Sequence, residues 1–174
     1  DHRDLHLSIR RQRQMCIRDS IMQLEEITPQ LIESVQQMHE KIRSVAISSV
    51  SFGDSLPDNF RRVATARIHQ SLTQLSKLKV SVCETCTQIR TIIAGSYLKI
   101  ARGIADDDFR IKTAKSLNVK GFLDIALFMT EDRQLSIALN AFEASNGEIV
   151  YSKIISGEPP PVSRPRAAGE WTAK

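Results

Sequence analysis

Apolar positions recur along this chain with a period that switches between helical and extended, and each switch marks an element. Ile21, Leu24, Ile27, Leu31, Val35 and Met38 return at spacings of three and four. That stripe predicts a helix over 21–41. Thr28-Pro29 inside it is also a helix-start signal, so one helix, or a short one to Ile27 followed by a second, both satisfy the pattern. Residues 42–52 (IRSVAISSVSF) mix apolar and small residues on both alternating faces, as an inner strand covered on both sides would. Gly53 to Pro57 is a loop by composition. Asp58 or Asn59 then caps a helix over 59–76 whose inward stripe is Phe60, Val63, Ala64, Ile68, Leu72 and Leu75.

A strand follows over 78–83. Ile89, Ile92 and Ile93 fall at helical spacing and predict a helix from Glu84 to about Ala94. Residues 95–103 admit a strand, with Tyr97, Lys99 and Ala101 opposite Leu98 and Ile100. A helix over 104–118 starts at a cap within Asp106-Asp107-Asp108 and carries Ile111, Ala114 and Leu117 on one side. Three strands close the pattern: FLDIALFMT, QLSIALNAFEA and EIVYSKII. They are rich in residues that suit a pleated surface. The turns between them are Glu131-Asp132-Arg133 and Ser145-Asn146-Gly147, and Asn-Gly is a strong hairpin signal. The fold class is therefore α/β: a single domain, a mixed sheet flanked by helices, ending in a three-strand antiparallel meander.

Length and composition fit one domain with a sizeable core: 174 residues, 41% hydrophobic and 25% charged. The net charge of +4 is mild and scattered, so no nucleic-acid footprint emerges. No apolar run approaches the roughly 20 residues a membrane helix needs. The ends differ from the middle. Residues 1–20 hold five Arg and three Asp with weak apolar periodicity. Their string RQRQMCIRD resembles translated sequencing-adapter read-through. They are set aside as non-native or disordered, a genuine basic arm being the alternative, and Cys16 is not read as a lipidation site. Any signal or lipid-attachment sequence would then have stood upstream. Residues 158–174 carry four Pro and read as a tail or linker. The domain proper is 21–157.

Candidate chemistry is sparse. Cys83-x-x-Cys86 sits where a strand meets the expected helix, a position that can make a thiol reactive. The pair reads as a structural disulfide, with inert buried thiols, a redox pair and a metal site as alternatives. A zinc site would need further ligands, and outside 1–20 only His39 and His69 are at hand. The three aspartates at 106–108 read as a helix N-terminus rather than a cation site. Asp124 is the odd residue, sharing a strand face with Phe122, Ala126 and Phe128. A carboxylate there needs a partner, a strand end or a partner protein's surface. Tyr97 and Tyr151 are candidate contact aromatics, core packing being the commoner fate. No nucleophile–base pair, phosphate loop or paired carboxylates stand out, so no catalytic residue, metal or cofactor is assigned.

Two stretches carry a resemblance. KIRSVAISSVSF resembles the first-strand pattern of a group of bacterial envelope proteins. SLNVKGFLDIALFMTEDRQLSIALNAFEASNGEIVYSKIISG resembles their second half, with Val45, Ala46, Phe52, Gly147 and Tyr151 at core and turn positions. The group includes the curli-secretion lipoprotein CsgG, the flagellar outer-membrane protein FlgO and the lipoprotein activators of peptidoglycan synthases. Their shared module is similar to the N-terminal domain of TolB. The resemblance spans about 25–157 and implies a non-enzymatic accessory or assembly role in the periplasm or at the periplasmic face of the outer membrane, through a protein partner. It leaves the oligomeric state open. The Cys83/Cys86 pair lies outside the shared pattern, and no channel-forming hairpins are evident. The competing readings are a thiol–disulfide oxidoreductase and a cytosolic regulatory α/β domain.

Overall fold

A computed structural model describes the backbone of residues 2–94, 97–104 and 106–158, and the side chains of 18–88, 103–104 and 106–158. Helix α1 runs without a break from His2 to Gln37. Pro29 lies inside it on an exposed face, where the amide it lacks and the carbonyl it leaves open can be compensated by water. Immediately before it the Thr28 hydroxyl donates to the Leu24 carbonyl at 2.6 Å, the back-bond that β-hydroxyl residues make within helices. The two-helix alternative is thus replaced by one helix, and that helix also takes in residues 2–20, which the sequence analysis set aside.

β1 (Ser44–Phe52) is followed by α2 (Asp58–Thr73) and the short β2 (Lys79–Val82). The expected helix over 84–94 is not formed. Instead a four-residue 3-10 turn, Glu84–Thr87, leads into β3 (Ile89–Ala94), which pairs antiparallel with β4 (Tyr97–Arg102). Four of the six β3 residues are β-branched, and their restricted side-chain torsions favour the strand. α3 (Asp107–Leu117) precedes β5 (Gly121–Met129), β6 (Leu135–Glu143) and β7 (Ile149–Ser156).

The main sheet has the order β2-β1-β5-β6-β7. β1 is parallel to both β2 and β5, and the last three strands form the antiparallel meander. From β1 the chain crosses to one side to reach β2, then returns past β1 to reach β5. Such crossovers are right-handed as a rule, and two of them in opposite directions put their helices on opposite faces. α1 and α2 accordingly cover one face. Leu24, Ile27, Leu31, Val35 and Met38 of α1 region, with Phe60, Ala64, Ile68 and Leu72 of α2, pack on Val45, Ile47, Leu123, Ile125, Leu127, Ile137 and Leu139. Val63, expected in the α2 stripe, is 38% exposed. α3 covers part of the other face, where Ala114 and Val119 join Ala46, Phe122, Cys83 and Cys86.

Local chemistry fixes the ends of α3. The Asp106 carboxylate accepts from the Phe109 amide at 2.7 Å. At the C-terminus Asn118 adopts φ 51° and ψ 52°, with Asn118 N–H donating to Lys115 and Val119 N–H to Ala114, a Schellman-type stop. Arg110 is buried; its Nε donates to the Ala144 carbonyl at 3.0 Å and its Nη1 pairs with Asp107 at 2.8 Å. It thereby ties α3 to the β6–β7 turn. Gly147 in that turn has φ +75°, and a Cβ there would come within 2.8 Å of the Arg110 guanidinium.

Candidate functional site

The carboxyl ends of parallel strands are where open α/β sheets form crevices, at the point where successive connections leave in opposite directions. Here that point lies beside β1. Two adjoining depressions of about 270 and 540 Å³ open there. Ser48, Ser49, Val50 and Thr87 line both; Thr65, His69 and Glu84 border one, Arg61 and Gly103 the other.

A β-bulge shapes the floor. Ile47 is level with Leu123 and Ser49 with Asp124, so Ser48 is the extra residue. Before the bulge Val45 and Ile47 face α1 and α2; after it Val50 and Phe52 do. The bulge places two hydroxyls over one carboxylate. Ser48 Oγ lies 2.5 Å and Ser49 Oγ 2.8 Å from Asp124 Oδ1, and Ser48 is also 3.1 Å from the Leu123 carbonyl. Asp124 is thus paired with hydroxyls rather than with a basic residue. Its cross-strand neighbour Asn140 accepts from Ser152 at 2.8 Å, extending a polar row across the sheet.

The other lining groups also spend their protons inward. Thr65 donates to the Arg61 carbonyl and Thr87 to that of Glu84. Arg61 directs Nε at the Leu56 carbonyl and Nη2 at that of Gly53. Burial lowers the pKa of His69 from its ordinary value; the Thr73 hydroxyl donates to its backbone carbonyl at 2.7 Å, and none of the side-chain hydrogen bonds among the described residues joins its imidazole to a hydroxyl. Among the described residues the crevice therefore offers oxygen lone pairs, without a nucleophile poised beside a base. No group of three His, Cys, Asp or Glu side chains converges among the described residues.

Cys83 and Cys86 are bridged, with Cα atoms 5.3 Å apart, and each is 1% exposed. Cys83 N–H donates to the Ile47 carbonyl, which holds the end of β2 against β1, and the bridge ties the following 3-10 turn to that end. Because a 3-10 turn replaces the expected helix, neither sulfur sits at a helix N-terminus. Tyr151 is half-buried against the main core, and its hydroxyl is shielded from solvent with no hydrogen-bond partner among the described residues. The Tyr97 side chain lies outside the described residues; its backbone opens β4. Of the candidates from sequence, Cys83 and Cys86 come together near the crevice wall, Asp124 lies beneath its floor, and Tyr151 is elsewhere. The bulge at Ser48 and the role of His69 in the wall were missed; the run Ser48-Ser49-Val50-Ser51 was the available signal, since it breaks strict alternation.

Fold and crevice together define a mixed-sheet α/β domain in which Ser48, Ser49, Thr65, Thr87 and Arg61 of the crevice are engaged in internal hydrogen bonds. No protein-family model matches the chain. No curated protein matches it either. Among solved structures it is similar to the LpoB C-terminal domain from Salmonella enterica, at 12% identity and a TM-score of 0.46, covering 72% of this chain and 93% of that one. It is also similar to lipoprotein GNA1162 from Neisseria meningitidis, at 11% identity and a TM-score of 0.42, covering 72% and 86%. A third is the PelC dodecamer from Paraburkholderia phytofirmans, at 15% identity and a TM-score of 0.40, covering 68% and 72%.

Proposed function

We propose that this chain is a non-enzymatic accessory or assembly module of the bacterial cell envelope, working on the periplasmic side by binding another protein. The observation that carries the reading is the buried Cys83–Cys86 bridge. A bridge of this kind persists in an oxidising compartment and is rare in reducing ones. With both sulfurs shielded it acts as a staple, whereas a thiol–disulfide oxidoreductase must expose its attacking sulfur. The envelope-type residue pattern of the two stretches quoted above supports the same reading, as does the inward commitment of the crevice hydroxyls. Among the described residues no helix is long and apolar enough to cross a membrane.

Residues 21–174 exported to the periplasm, alkylated without reductant and weighed intact, test the reading. The expected result is one internal bridge that glutathione leaves closed, since structural disulfides resist that couple. Two free thiols, or insulin-disulfide reduction that a Cys83→Ser variant abolishes, would overturn it.

A further inference from the structure

The main sheet ends at β7, and its outer edge carries a specific pattern of open groups. Gly157 N–H donates to the Leu135 carbonyl of β6. Backbone groups alternate along an antiparallel ladder. Ile155, Lys153 and Tyr151 therefore also face β6, while Ser152, Ile154 and Ser156 direct their N–H and C=O groups outward. The strand contains no proline that would blunt this edge. Ile149 and Ile154, both on β7, are 66% and 65% exposed, two of the four exposed large hydrophobics among the described residues.

We propose that β7 pairs antiparallel with β7 of a second copy of this chain, about a two-fold axis through Ile154, joining the two sheets edge to edge. The axis follows from elimination. Centred on Lys153, the pairing would set two ammonium groups directly opposite each other in a close pair, which is destabilising. Centred on Ser152, it would bring the second copy against the Val150 carbonyl, which already accepts from Lys41 Nζ at 3.1 Å. Centred on Ile155, it would use fewer of the outward groups. Centred on Ile154, all three outward residues are used: Ile154 faces its own equivalent, and Ser152 faces Ser156 of the second copy. On the order of six backbone hydrogen bonds form, two for each such pair. The exposed Ile154 side chains cover each other, and each Lys153 lies beside Ile155 of the second copy with its ammonium free to reach water. The contact is the same patch on both chains, so it closes as a dimer and does not propagate. It does not depend on where in the cell the chain works.

Sedimentation velocity of the full chain, at concentrations into the tens of micromolar, is expected to show a monomer–dimer equilibrium. Ile154→Lys opposes two charges at the axis. Ser152→Pro removes an outward N–H but no ladder bond to β6, a placement edge strands tolerate. Each is expected to weaken the dimer by more than about tenfold, while far-UV circular dichroism of the monomer is unchanged. In a Cys16→Ser background, Ile154→Cys is expected to cross-link two chains under copper phenanthroline, since paired residues at such an axis stand about 5.5 Å apart, and Ile149→Cys is not. A chain that stays monomeric throughout, a dimer that survives both variants, or cross-linking at position 149 in preference to 154 would overturn the proposal.

Discussion

At the scale of single residues, three side chains carry consequences that can be measured. Asp124 is the acceptor for the Ser48 and Ser49 hydroxyls at the bulge. Asp124→Ala removes that acceptor and is expected to cost about 1–3 kcal/mol in urea unfolding. Asp124→Asn, which retains an oxygen there, should cost less, and equal losses would contradict the hydroxyl pairing. Tyr151 presents the opposite case. Its hydroxyl is buried without a partner among the described residues, so Tyr151→Phe removes an uncompensated polar atom and should leave the melting temperature unchanged or raised. A clear drop would reveal a role for the hydroxyl. Partial burial lowers the pKa of His69 below the ordinary 6.5. The unfolded chain then binds the extra proton first, so stability is expected to fall as pH drops below about 6.5. His69→Gln should flatten that decline, which urea titrations across the window would record.

At the scale of elements, the long periodic segments were legible, and so were the short strands read at 78–83 and 95–103, but residues 84–94 were not. The α1 stripe and the meander repeat their pattern over enough residues for one period to dominate. Residues 84–94 are too few: Ile89, Ile92 and Ile93 meet helical spacing by coincidence while belonging to a strand. Two signals pointed the other way, the β-branched density of IRTIIA and the Gly95-Ser96 pair separating it from YLKIAR, a spacing suited to a hairpin. The polar groups of the candidate site were visible as residue types, but their meeting was not, because the Ser48 bulge depends on how β1 aligns with β5. The Cys83–Cys86 bridge closes a very short loop, for which the chain-entropy model gives a stabilisation of about 2 kcal/mol. Cys83→Ala/Cys86→Ala should thus lower the melting temperature modestly with far-UV circular dichroism intact, because the main core on the α1 and α2 face contains neither residue. Wholesale unfolding would show that the bridge organises more than the end of β2.

At the scale of the whole molecule, α1 is the longest element among the described residues, and its C-terminal half packs on the main core. At 36 residues it extends about 54 Å. Among the residues whose side chains are described, those of α1 in or against that core run from Ile21 to Val35. The same half is tied to the meander by Gln23, whose Oε1 accepts from Leu135 N–H at 2.7 Å and whose Nε2 donates to the Arg133 carbonyl at 3.2 Å. A chain cut to residues 20–158 keeps every one of these contacts. It also begins at Ser20, a residue type suited to capping a helix. We therefore expect residues 20–158 to unfold cooperatively with a melting temperature within about 2 °C of the full chain, a shift worth well under 1 kcal/mol for a domain of this size. Cutting instead at Leu31 would remove Leu24, Ile27 and the Gln23 ties, and should abolish the cooperative transition. If the shorter cut already lost more than about 5 °C, residues 1–19 would belong to the folding unit, and the domain would have to be redrawn to include them.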